Sequence, residues 1–133
     1  MLQEARAFCR PGESSYGTGT EWDLPERWHN PPPTFDYATP LNFVSTADIT
    51  GGNSGSPMIN RDLEIVGIAF DGNIESLSGD YIFLPELNRC VAVDVRGILE
   101  ALDEIYDADR LVLELTNEQF VPTEEEADAI KSR

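Results

Sequence analysis

The run Thr50-Gly51-Gly52-Asn53-Ser54-Gly55-Ser56-Pro57 constrains this chain more than any other stretch, because it sets three glycines around one serine between two apolar runs. Glycine reaches backbone conformations closed to other residues, so the spacing permits a tight, strained turn that lifts Ser54 clear of its neighbours. Leu41-Asn42-Phe43-Val44 precedes the turn and Ile65-Val66-Gly67-Ile68-Ala69-Phe70 follows it, both apolar and strand-like. A flexible Gly/Ser linker is the plain alternative. Linkers seldom sit between two buried strands, and the turn is the better reading.

The same rhythm of short apolar runs and turn clusters extends over residues 41–94 and marks a serine-bearing, mainly β portion. Pro57-Met58-Ile59-Asn60 and Leu63 to Phe70 read as a hairpin turning at Arg61-Asp62, and Asp71-Gly72-Asn73 ends its second strand. Cys90-Val91-Ala92-Val93 offers another strand. The period then changes. Ile98, Leu99, Leu102, Ile105 and Tyr106 share one face of a helix within residues 95–115, with Asp94 as its N-cap. Leu111 to Leu115 follows as a short apolar piece. The acidic tail, residues 116–133, carries Thr123-x-x-Glu126, a spacing that caps a marginal helix. Residues 1–40 are a Pro/Gly-rich covering segment, with Trp22, Leu24, Trp28, Phe35 and Tyr37 as anchors.

Twenty-five acidic against nine basic residues give a net charge of −16, spread along the chain. Phosphate backbones need clustered Lys and Arg, so nucleic acid is excluded as a partner. The charge suits attraction of cationic groups such as peptide N-termini, and equally suits solubility alone. Cys9 and Cys90 allow one disulfide; with a single histidine they make a structural zinc site implausible, and no metal or cofactor is expected. Met1 to Arg6 is too polar for a signal peptide, and no apolar run approaches membrane-spanning length.

The loop Gly52-Asn53-Ser54-Gly55-Ser56-Pro57 resembles the nucleophile loop of chymotrypsin-like serine peptidases. That resemblance makes Ser54 a nucleophile and aims the N–H groups of Gly52 and Ser54 at a developing oxyanion. Asn53 stands where activated zymogens have an aspartate, so activation through a newly cut N-terminus is not expected. The same loop form resembles glutamyl endopeptidases, so it fixes the clan and not the substrate. A serine needs a base to take its proton. His29, the sole histidine, lies in Trp28-His29-Asn30-Pro31, close upstream and unlike the distant histidine of such enzymes; it reads as a loop residue.

Further blocks narrow the resemblance. Leu24 to Trp28, Asn42 to Ile49, Ile65 to Asn73, Ser78-Gly79-Asp80, Pro85 to Arg89 and Val93 to Leu99 look like the C-terminal end of bacterial dipeptidyl-peptidases of the chymotrypsin clan. The resemblance covers about Asp23 to Leu115. It implies a double β-barrel with an inserted helical lid, releasing dipeptides from free peptide N-termini in the periplasm, and leaves room for a homodimer. In it Asp71 holds the substrate's terminal ammonium with Phe70 beside it, a charge-assisted contact that an internal peptide bond cannot replace. Gly72 lies at the specificity pocket. Family members with arginine there take acidic side chains, so glycine implies a hydrophobic second residue. The family's catalytic histidine and aspartate belong upstream of this chain, which therefore reads as a C-terminal piece, poorly stable and inactive alone. A non-catalytic barrel-half binding module and a glutamyl endopeptidase-like enzyme are the rival readings.

Overall fold

Cys90-Val91-Ala92-Val93 is a short continuous apolar run, the pattern of a buried central strand. The computed structural model describes residues 3–5 and 25–131. They fall into two compact units, one of residues 3–5 and 38–98, the other of residues 25–37 and 99–131. In the first, β1 (Gln3–Ala5), β2 (Asn42–Ser45), β3 (Pro57–Ile59), β4 (Ile65–Gly72) and β5 (Cys90–Asp94) form one antiparallel sheet in the order β1-β2-β5-β4-β3. The sheet is open, with β1 and β3 at its edges. β5 is its spine. Cys90, Ala92 and Asp94 alternate onto the buried face at 0 %, 0 % and 3 % exposure.

Phe43 of β2 and Ala69 of β4 stand opposite Ala92 and complete this core. Gly67 is what lets the Phe43 ring lie close against β4. A Cβ at Gly67 would stand 2.4 Å from the Val93 carbonyl oxygen and 2.5 Å from Phe43 Cε1. Pro57 costs the ladder nothing, because β3 is an edge strand and its missing N–H would face outward. Cys90 is a free, buried thiol whose pKa burial pushes up, against a smaller opposing hydrogen bond with Ser45. The disulfide that two cysteines allowed therefore does not engage Cys90; Cys9, like Trp22 and Leu24, lies outside the described residues.

Asp94 ends β5 and caps the helix that begins at Val95. Its Oδ1 accepts from the Arg96 N–H at 2.9 Å, the N-cap bond expected from the sequence. The Arg96 guanidinium adds Nε–Oδ1 at 2.9 Å and Nη2–Oδ2 at 2.8 Å. Burial alone would raise the Asp94 pKa, but the Arg96 side-chain and backbone hydrogen bonds and its charge hold the carboxyl below the usual range.

This helix, α1 (Val95–Glu100), runs into a π-helical turn, Ala101–Ile105, and the chain passes from the first unit to the second within α1. The expectation of one amphipathic helix is corrected here, because α2 (Asp109–Asn117) and α3 (Glu124–Lys131) come after it. Leu111 to Leu115, read as a short apolar piece, belongs to α2. Leu113 is buried with Val121 and Ala127, and Ile130 packs on them, so α2 and α3 supply each other's apolar partner. Thr123 Oγ1 accepts from the Glu126 N–H at 3.3 Å, as the Thr-x-x-Glu spacing predicts. Lys131 pairs with Asp103 and, at 2.7 Å, with Asp109. In the same unit Trp28 meets Phe35 and Tyr106 edge-on at 6.1 and 6.3 Å, and Phe35 meets Tyr37 at 5.0 Å. Trp28, Phe35 and Tyr37 are three of the anchors expected in the covering segment.

Replacing Gly67 by Ala forces Phe43 or the β5 backbone to move and is expected to destabilise the chain by about 1–3 kcal/mol. A denaturant midpoint equal to that of the unsubstituted chain would rule out this packing. Asp94→Asn tests the cap by pH. A carboxylate with a lowered folded pKa stabilises above its ordinary pKa, and that contribution fades as pH falls through the folded value. The unsubstituted chain should be the more stable near neutrality, and the two unfolding midpoints should converge as pH falls through the lowered pKa of Asp94; a gap that stays constant from neutral to acid excludes the ionised cap.

Candidate active site

Ser54 is held at the surface by a glycine turn laced to β4. Gly52 and Gly55 have φ of +102° and +90°, the left-handed region where a side chain would be strained, so the glycine spacing has its expected physical use. Thr50 N–H donates to Asn53 Oδ1 at 2.8 Å, and Ser56 N–H to the Asn53 carbonyl at 2.9 Å, closing the turn from within. Gly55 N–H donates to the Ala69 carbonyl at 2.8 Å, and Ala69 N–H to the Ser56 carbonyl at 2.9 Å. These two bonds extend the β3–β4 ladder into the loop. The N–H groups of Gly52 and Ser54 have no acceptor among the described residues.

β4 contributes through a bulge. Ala69 faces Ala92 and Asp71 faces Val91, so Phe70 is an extra residue with no partner on β5. A bulge frees the carbonyl of its extra residue and re-aims the side chains beyond it. Ser54 Oγ donates to that Phe70 carbonyl at 3.2 Å. Asp71 Oδ1 accepts from the Gly72 N–H at 2.8 Å, which fixes the carboxylate at the end of the strand.

A cleft of about 290 Å³ gathers Ser54, Phe70, Asp71 and Gly72 with Thr50, Gly51 and Ile49. Among the described residues the rest of its lining is Asn73, Ser76, Leu77 and Asp80, with no lysine or arginine. Gly52 is not among the lining residues, although its neighbour Gly51 is. Four of the five residues expected at the site therefore share one cleft. Gly72 opens it: a Cβ there would meet Ser76 Cβ at 3.0 Å.

Ser76 and Asn73 were not singled out from the sequence. Asn73 Oδ1 accepts from Ser76 Oγ at 2.6 Å and from the Arg89 N–H at 2.8 Å, while Asn73 Nδ2 donates to the Leu87 carbonyl at 2.8 Å. This clasp shuts the loop from residue 73 to 89 against the cleft. No short-range pattern announces it, because Asn73 and Arg89 are 16 residues apart. His29 belongs to the other unit, where its backbone N–H donates to the Glu26 carbonyl at 3.0 Å after the short 3-10 turn Glu26–Trp28.

A glycine-framed serine laced to an antiparallel hairpin is the hallmark of a chymotrypsin-like peptidase barrel, and kinship with known proteins gives its family. Residues 13–117 match Peptidase S46, and the chain belongs to that family. It is 53 % identical over 77 residues to dipeptidyl-peptidase 7 of Phocaeicola vulgatus, covering 58 % of this chain and 11 % of that protein. It is 46 % identical over 78 residues to an Asp/Glu-specific dipeptidyl-peptidase of Shewanella putrefaciens, covering 59 % and 11 %. The structure resembles crystalline Porphyromonas endodontalis DPP11 in complex with the dipeptide Arg-Asp, with a TM-score of 0.58 and 38 % identity over 60 % of this chain and 12 % of that one. The open sheet is thus a portion of a chymotrypsin-like fold. The chain spans about a tenth of the length of these relatives.

Proposed function

We propose that this chain supplies the nucleophile and the substrate-recognition wall of a serine dipeptidyl-peptidase that removes dipeptides from free peptide N-termini. The observation that carries the reading is the single cleft holding the exposed Ser54 hydroxyl, the Asp71 carboxylate and the side-chain-free Gly72. Ser54 Oγ attacks the carbonyl carbon of the second residue. Its proton passes to a base contributed by the rest of the peptidase, because its one hydrogen bond among the described residues goes to the Phe70 carbonyl. The unpaired N–H groups of Gly52 and Ser54 receive the charge that develops on the carbonyl oxygen, a contribution of about 10²–10³ in rate for each donor. The base then protonates the leaving amine, and water releases the dipeptide from Ser54.

Asp71 takes the substrate's terminal ammonium, with Phe70 as its apolar neighbour. Counting two residues from that ammonium to Ser54 is what would make the enzyme cut dipeptides from chain ends. The second residue's side chain then falls at Gly72. Relatives include both dipeptidyl-peptidase 7 and Asp/Glu-specific proteins, so kinship alone leaves the preference open. The lining among the described residues supports a hydrophobic residue: Ile49, Phe70 and Leu77 are present and no lysine or arginine is. We place the full-length enzyme in the periplasm or outside the cell, where peptides with free ends are its substrates.

The test uses a chimera in which this chain replaces the matching segment of the Phocaeicola vulgatus dipeptidyl-peptidase 7. It should release dipeptides from peptides with a free N-terminus and phenylalanine second. Ser54→Ala should lower kcat/KM by about 10⁴–10⁶, and N-acetylation of the substrate should abolish release. Equal turnover of acetylated peptides would sink the role of Asp71, and an active Ser54→Ala chimera would sink that of Ser54.

A further inference from the structure

One wall of the cleft is carried by a loop and not by the sheet. Asn73, Ser76, Leu77 and Asp80 line the cleft beside Gly72, and all four come after the end of β4. Holding such a loop in one place costs chain entropy, so something must tie its two ends. A single side-chain amide does so across 16 residues. Asn73 Oδ1 accepts from Ser76 Oγ at 2.6 Å and from the Arg89 N–H at 2.8 Å. Asn73 Nδ2 donates to the Leu87 carbonyl at 2.8 Å and to Glu75 Oε2 at 2.6 Å. All four hydrogen-bonding positions of the amide are thereby filled. The Asn73 N–H adds a bond to the Arg89 carbonyl at 3.0 Å.

Ser76 is where this clasp reaches the pocket. It belongs to the 3-10 turn Ile74–Ser78, and its N–H donates to the Asn73 carbonyl at 2.9 Å. A Cβ at Gly72 would stand 3.0 Å from Ser76 Cβ and 3.3 Å from Ser76 Oγ, so Ser76 lies directly behind the space that Gly72 leaves. We infer that Asn73 is a positioning residue that fixes the wall of the second-residue pocket, acting through Ser76 and the turn that carries Leu77. This rests on the proposed reading of Gly72 as the place where the second side chain falls. A wall held in one place gives a large apolar side chain its full set of close contacts, and a wall that shifts gives many of them up. An alanine side chain reaches little of the wall in either case. The Ser54 loop is tied to β4 by separate bonds through Gly55, Ser56 and Ala69. The clasp therefore bears on selection of the substrate and not on placement of the nucleophile.

The readout in the chimera is the ratio of kcat/KM for a peptide with phenylalanine second over one with alanine second. Asn73→Ala should lower that ratio about tenfold, with the loss for phenylalanine falling mainly on KM. Asn73→Asp separates the amide from its bulk. It keeps the size and the acceptor, but sets an oxygen against the Leu87 carbonyl and the Glu75 carboxylate, so it should lower the ratio as far as Asn73→Ala does. Ser76→Ala removes one hydroxyl and nothing else, which keeps the test open if the Asn73 variants fail to fold; it should lower the ratio roughly threefold. If the ratio holds in every variant that folds while both substrates slow together, Asn73 only supports the fold and the inference is overturned. Recovery of the ratio by Asn73→Asp overturns it as well. An unsubstituted chimera that releases neither dipeptide overturns the function proposed above, and this inference with it.

Discussion

The lacing of the Ser54 loop to β4 is the interaction on which the site depends. Gly55 and Ser56 pair with Ala69 as if the β3–β4 ladder continued past Pro57, and the bulge at Phe70 stops it one residue later. Ladder and bulge act oppositely. The ladder holds the serine at a fixed height over the sheet. The bulge turns the next three residues, Phe70, Asp71 and Gly72, into the cleft instead of leaving them in alternation across the sheet. Without the bulge, period-two alternation would send Phe70 and Asp71 to opposite faces. Ser54 and the cleft residues Phe70, Asp71 and Gly72 are thus placed by the same few backbone hydrogen bonds.

How much of this was legible in the sequence depends on the range of each interaction. Local signals were legible. The glycines at 52 and 55 announce positive φ, Asp94 and Thr123 announce helix starts, and the hairpin around Arg61-Asp62 announces itself through its flanking apolar runs. Long-range pairings were not. β1 is three residues of Gln, Glu and Ala with no apolar pattern, and only its pairing with Asn42 to Val44 makes it a strand. The Phe70 bulge depends on how β4 meets β5, so nothing in Ala69-Phe70-Asp71 alone reveals it. The π turn after α1 hid the later helices by interrupting the stripe that ends at Ile105 and Tyr106. Leu111 to Leu115 shows only a short apolar piece by itself, because its partners Val121 and Ala127 come from beyond it.

The first unit illustrates how little apolar matter is needed to fix a site when backbone pairing does most of the positioning. Its deeply buried side chains among the described residues include Phe43, Ala69, Cys90 and Ala92 with the polar Asn88 and the Asp94 cap, mostly small. Ile65, Ile68, Phe70, Leu77 and Tyr81 stay exposed on the same unit. A thin core tolerates little change of volume, since each neighbour has few alternatives for repacking. Gly67 shows this most clearly, because one added carbon would collide with both Phe43 and β5.

The site also separates recognition from chemistry. What the cleft holds among the described residues is the Ser54 hydroxyl and unpaired N–H, with the carboxylates of Asp71 and Asp80. Each of these can bind or select a substrate without a base. Proton removal from Ser54 needs a group that competes with the Phe70 carbonyl for the hydroxyl, and a carbonyl is far too weak a base to take the proton itself. On the proposed reading, the hydroxyl waits on Phe70 until a base approaches, and the bulge carbonyl is a resting place that must be given up at the start of each turnover. Asp71 and Gly72 are placed in the cleft by this chain's own backbone, whichever group takes the proton from Ser54.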